Sequence, residues 1–195
     1  MGSLQPTDGL GWEPFRQRCL AAVIGTRVNA VTSPFFDSIG EQEASFPAIQ
    51  GVEALWRELS GAGDNSVLFQ AAEPAVAELE ARLRADEGLR ARVVAAAVRC
   101  VAGVIQVRNG QPDGLMAATT AAAEVARGLD DAGRPPPEGA SGWVPFELDG
   151  QRTAVQAVRD LPQPPSGDAL FDLRLRAGMD SMSYRTAMEE WLAAG

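Results

Sequence analysis

Over residues 87–108 the apolar side chains occupy two adjoining faces of a helical period, and this stretch constrains the fold more than any other. Leu89, Val93, Ala97, Cys100, Val104 and Val107 recur on one face; Val94, Val98, Val101 and Ile105 recur on the next. A surface helix buries one apolar stripe. A helix with two must be covered on both sides, which puts it at the centre of a packed body. Asp86 is placed to cap it. Gly103 lets a neighbouring backbone come close, and the turn Asn-Gly-Gln-Pro-Asp-Gly at 109–114 ends it.

The rest of the N-terminal two thirds arranges itself around that helix. Residues 1–11 contain Gly and Pro and read as a loose lead-in. Phe15, Cys19 and Val23, with Leu20, Ile24, Val28 and Val31, mark a helix over 12–32 that Ser33-Pro34 closes. Residues 35–48 show no period and read as irregular. Val52, Leu55, Trp56 and Leu59 mark a short helix over 52–59, and a turn follows at 61–65. Pro74 suits the first turn of a helix carrying Val76, Leu79 and Leu83. An alanine-rich helix over 115–129 follows the central one.

After Arg134-Pro135-Pro136-Pro137 the pattern changes. Two β-like runs, 143–148 and 152–158, flank Asp149-Gly150, and Asp-Gly between such runs is a hairpin signal. A Pro-rich loop at 162–167 leads into 170–175, whose partial alternation reads as a third strand. Asp180 or Ser181 then caps a last helix over 182–193. The expected class is α+β: a helical body of about five helices over 1–133, a linker at 134–142, and a small C-terminal antiparallel sheet with a closing helix over 143–195. Val144, Phe146, Leu173, Leu175, Met188 and Trp191 would pack this segment on the body to make one structural domain, because so small a sheet needs a partner layer.

The chain narrows its own chemistry by omission. It has no histidine, and all 17 of its basic residues are arginine. These 195 residues therefore offer no imidazole base, no His metal ligand, no Schiff-base amine and no P-loop lysine. With two cysteines and no CxxC, a structural zinc set is not expected, and no cofactor or metal is assigned. Arginine in place of lysine, with abundant Ala, Gly and Pro, matches a GC-rich bacterial genome. The net charge of -9 repels a phosphate backbone and an anionic membrane alike, so neither nucleic acid nor membrane is an expected partner; a basic protein or peptide is. No leader pattern is read at the N-terminus, and Arg18, Arg27, Arg99 and Arg108 interrupt the apolar stretches before they reach spanning length. Cys19 and Cys100 lie in apolar helical contexts and read as reduced, buried thiols of a cytoplasmic protein.

Few residues stand out as candidates for a site. Asp37, Glu41 and Glu43 crowd a segment just after Phe35-Phe36, and paired carboxylates can divide acid and base roles. Arg27 sits on the flank of an apolar helical face, so it needs a carboxylate partner, with Asp37 or Glu41 nearest downstream; its functional reading is a clamp for an anionic ligand. Tyr184 is the sole phenol. Arg82, Arg84, Arg90, Arg92 and Arg99 form one basic stretch, diluted by helical pairs such as Glu78–Arg82 and Glu80–Arg84. Gly178-Met179-Asp180-Ser181-Met182 resembles the phosphopantetheine-attachment sequence of acyl carrier proteins, which implies Ser181 as the attachment point. The likeness covers five residues, and the helix that family places upstream is replaced by Pro-rich and β-like sequence; the residues themselves read as a helix cap.

The expected function is a cytosolic, non-enzymatic binding or adaptor protein of the immunity, chaperone or pathway-accessory type. It would recognise a protein or peptide through its acidic surface and a helix–sheet junction. The alternatives are a small histidine-independent cyclase or isomerase using Asp37, Glu41 and Tyr184 with Arg27, or a small-molecule sensor. Oligomeric state is left open.

Overall fold

The computed structural model describes residues 14–63, 65–162 and 165–194; the lead-in expected at 1–11 lies outside them. Eight α-helices run through the described residues: α1 (Pro14–Asn29), α2 (Thr32–Ser38), α3 (Phe46–Leu59), α4 (Ser66–Arg84), α5 (Leu89–Arg108), α6 (Gly114–Asp131), α7 (Trp143–Arg159) and α8 (Gly167–Ala193). A 3-10 turn, Gln42–Ser45, joins α2 to α3. The described residues are all-helical and contain no strand, which overturns the expected α+β class with its C-terminal sheet.

The central helix is where its two apolar faces require it. α5 packs against α6, α4, α1 and α3, and 13 of its residues are buried. Its closest partner is α6. A Cβ at Gly103 would lie 2.6 Å from the backbone nitrogen of Ala118, and one at Gly114 would lie 2.6 Å from that of Val107. At this crossing backbone meets backbone, which explains why α6 is built of alanine and glycine rather than leucine. α5 starts at Leu89 with Gly88 preceding it, while the Asp86 carboxylate accepts from the Gly88 N–H at 2.7 Å.

Proline marks helix boundaries less sharply than expected. Ser33-Pro34 does not end a helix; the chain kinks at Ala30-Val31 and Pro34 falls in the first turn of α2. The Thr32 hydroxyl donates to the Asn29 carbonyl at 2.7 Å, serving a group that the break in the helix releases. Residues 35–48, expected to be irregular, thus supply α2, with Phe35 and Phe36 buried, and the start of α3. Pro74 lies inside α4, on its exposed side, and Gln70, whose carbonyl loses its helical partner to the proline, is an exposed residue as well. α1 and α2 together, Pro14–Ser38, are long and apolar enough by length and composition to cross a membrane. However, 83% of the most apolar window is buried within the bundle.

The C-terminal third is helical rather than β for three reasons, which concern the run 143–148, the dipeptide Asp149-Gly150 and the run 170–175. The run 143–148 looks extended because it begins with no capping residue of its own. Its cap comes from α6: Asp130 accepts from the N–H groups of Trp143 at 2.8 Å and Val144 at 3.0 Å, and Pro145 fits the first turn that results. Asp149-Gly150 is mid-helix, because Gly150 leaves room for the Arg27 guanidinium, which a Cβ there would strike. The run 170–175 alternates because α8 is apolar on two opposite faces, with Leu170 and Leu173 turned inward and Phe171 and Leu175 outward. α8 starts at its cap Ser166, whose hydroxyl accepts from the Ala169 N–H at 3.2 Å, and passes unbroken through 180–181. Asp180 and Ser181 therefore cap nothing. α7 packs on α6 and α1, and α8 on α1 and α2.

Candidate functional site

The bundle holds a buried polar network and carries an exposed apolar face. The network begins on α1, where Arg27 points into the bundle and is fully buried. α7 presents Glu147 to it, one turn before Gly150, and Gln151, the residue after Gly150, lies beside that carboxylate; both are buried. The Glu147 carboxylate lies 3.2 Å from Arg27 Nη2, and Asp180 of α8 lies 3.2 Å from Arg27 Nε. At these distances the guanidinium is held by charge; none of its three nitrogens makes a directed hydrogen bond. It also lies over the Phe146 ring, 5.7 Å from the centroid.

Glu147 gathers the remaining donors. Its Oε2 accepts from the Tyr184 hydroxyl at 2.6 Å and its Oε1 from the Gln151 amide at 2.9 Å; that amide also donates to the Thr119 carbonyl at 3.2 Å. Trp143, Phe146 and Tyr184 pack ring on ring around the group. Burial, reinforced by the Glu147 charge and opposed in part by Arg27, holds the Tyr184 phenol well above its ordinary value. Burial likewise raises the Cys100 thiol nearby. One guanidinium thus faces two carboxylates, which leaves an incoming anion nothing to neutralise.

The sequence candidates divide. Arg27 and Tyr184 meet on the same Glu147 oxygen. Asp37 and Glu41 are elsewhere: Asp37 is exposed at the end of α2, and Glu41 pairs with Arg82 at 2.8 Å. The expected Arg27 partners are replaced by Glu147 of α7 and Asp180 of α8, two helices in place of the expected hairpin and strand. Glu147 and Gln151 are not among the sequence candidates; their i,i+4 spacing around a glycine is the one signal that points to them. The basic stretch is engaged within the bundle: Arg84 pairs with Glu80 at 3.2 Å, Arg99 pairs with Glu124, and Arg90 donates to the Trp191 carbonyl at 2.8 Å. Ser181 donates its hydroxyl to the Gly178 carbonyl at 2.7 Å, in mid-helix. Among the described residues no group of three or more Cys, Asp and Glu side chains is arranged to hold a metal ion.

The second feature lies on the outside of α8. Leu170, Leu173, Ala177, Tyr184, Met188 and Trp191 face the bundle. On the opposite side Phe171, Leu175, Met179 and Met182 are 64%, 51%, 65% and 65% exposed. Their spacing of four, four and three residues sets them in one stripe. No family model, curated protein or solved structure matches the chain.

Proposed function

We propose that this is a cytosolic, non-enzymatic binding protein that docks a helix of a protein partner on the outer face of α8. The observation that carries the reading is the stripe Phe171, Leu175, Met179 and Met182, four large apolar side chains exposed on one helix face. Single exposed apolar residues are ordinary; an aligned row of them on a helix already packed by its other face marks a contact surface. Methionine suits such a surface, since its unbranched side chain adapts to the partner it meets. Two free cysteines, both buried, fit a reducing compartment, and the net charge of -9 favours protein over nucleic acid as the partner.

An enzyme would need a reactive group turned toward a substrate. Tyr184 and Arg27 are instead engaged with Glu147 inside the bundle, where they fix α7 and α8 on α1 and so set the stripe in place. The test is a photo-crosslinking residue placed at Met179 in cells, with the same residue at exposed Glu78 on α4 as the comparison. The expected result is a discrete protein adduct from position 179 that Leu175→Asp removes, and none from position 78. Equal labelling from both positions, or none from 179, overturns the reading.

A further inference from the structure

The partner of the α8 face can be argued from the face itself. Along its outer side α8 follows a seven-residue repeat, with Asp168, Leu175, Met182 and Glu189 at the first position and Phe171, Gly178 and Arg185 at the fourth. Asp168, Arg185 and Glu189 are exposed, as are the apolar members of the row. Gly178 stands amid the row with open space where a side chain would be.

This pattern complements itself in one orientation. When a second α8 runs antiparallel, first positions of one helix meet fourth positions of the other. Phe171 then faces Met182 of the other copy, and Leu175 enters the gap above its Gly178. Asp168 meets Arg185, so each end of the seam carries an opposite-charge pair. The two-fold repeats every one of these pairings. The parallel arrangement instead sets Asp168 on Asp168, Arg185 on Arg185 and two glycines face to face, which leaves a void between like charges.

We propose that the α8 face binds a second copy of this chain, forming an antiparallel, two-fold symmetric helix pair in the register Phe171–Met182, Leu175–Gly178 and Asp168–Arg185. This rests on the reading of α8 as a docking face and names the partner. A symmetric dimer needs the same patch to be its own complement; Asp168 before the apolar residues, Arg185 after them and the gap at Gly178 meet that requirement, with Arg185, which pairs with Glu189 at 2.8 Å within its own helix, reaching Asp168 of the other copy across the seam.

The experiment measures mass by sedimentation equilibrium on the purified full chain and four variants, with circular dichroism as a check on folding. The parent is expected to dimerise and Leu175→Glu to be a folded monomer, since the site is exposed. Asp168→Arg and Arg185→Asp alone should each weaken self-association by about tenfold, because each sets like charges together at both ends of the seam. Mixing these two variants should restore dimers at the parent's affinity, since every mixed pair regains both opposite-charge contacts. Gly178→Leu should weaken the dimer by filling the gap that Leu175 enters. A parent that stays monomeric to high micromolar concentration overturns the proposal, as does a dimer indifferent to Leu175→Glu, or a mixture that fails to recover. A monomeric protein that still gives a Leu175-dependent adduct to another protein in cells would defeat self-pairing while leaving the docking reading intact.

Discussion

At the scale of single residues, Gly150 shows how a side chain far away in sequence decides a local conformation. Asp-Gly ordinarily turns a chain, because glycine reaches positive φ without strain. Here glycine is required for a different reason, the absent Cβ, because the Arg27 guanidinium occupies that space. Gly150→Ala adds only a methyl group and improves intrinsic helix propensity, so on local grounds it should stabilise. The contact with Arg27 reverses the sign: the methyl forces the guanidinium off Glu147 or α7 off α1. The expected cost is about 3 kcal/mol, read as a lowered urea midpoint with an unchanged slope. An unchanged or raised midpoint would mean that α7 does not carry Arg27 on this face. The second residue-scale lesson is Glu147, an acidic side chain with no exposed surface. Read along the chain it breaks the apolar period of α7, and only its partners Arg27, Tyr184 and Gln151 make it an interior residue.

At the scale of elements, α7 and α8 are helices whose signatures are supplied from outside or doubled. α7 takes its N-terminal cap from Asp130, whose two oxygens hold the N–H groups of Trp143 and Val144. Trp143 in turn donates its indole N–H to the carbonyls of Arg134 and Pro135, which ties the proline-rich linker to the helix it precedes. Asp130→Ala should therefore cost about 1 kcal/mol, as loss of a cap does, and fast amide exchange should appear at the start of α7. Protection at Trp143 and Val144 equal to the parent's would show that the cap is idle. α8 carries two apolar seams on opposite sides, so neither a single stripe nor a strand describes it. Interleaving an inward row with an outward one produces the near-alternation of 170–175, and a period-two reading follows from it. The central helix α5 was legible because both its apolar faces adjoin and both are buried within the same chain.

At the scale of the whole molecule, three ionisable groups on three helices tie stability to pH. Cys19 on α1, Cys100 on α5 and Tyr184 on α8 are all buried. Burial pushes the Cys19 thiol from its ordinary 9.0 up to about 12. Burial raises Cys100 and Tyr184 as well, in each case with help from the Glu147 charge. The folded protein therefore keeps protons that the unfolded chain releases. Their contribution is complete below the ordinary thiol range and is lost as pH rises through the interval up to the folded values. Above about pH 9 stability should fall by about 1.4 kcal/mol per pH unit for each group titrating only in the unfolded chain. Urea midpoints measured from neutral to alkaline pH should drop accordingly, and Cys19→Ala with Cys100→Ala should flatten the early part of the decline. A midpoint independent of alkaline pH in the parent would place the thiols outside the core.

The sequence alone determined the central helix, the buried thiols, the close approach at Gly103 and the need of Arg27 for a carboxylate. Each follows from the chemistry of a residue and its neighbours within a few turns: an apolar period, a missing side chain, a charge that cannot be buried unpaired. Tertiary structure decided the class of the C-terminal third, the partners of Arg27 and the cap of α7. In those places the deciding group lies more than a dozen residues away along the chain: Asp130 for Trp143, Arg27 for Gly150 and Glu147. α7 does carry a helical period of its own, in Trp143, Glu147, Gln151, Ala154 and Val158, but two of those five inward residues are polar and its cap and glycine are justified by other helices, so the interactions that explain them form only when the bundle closes.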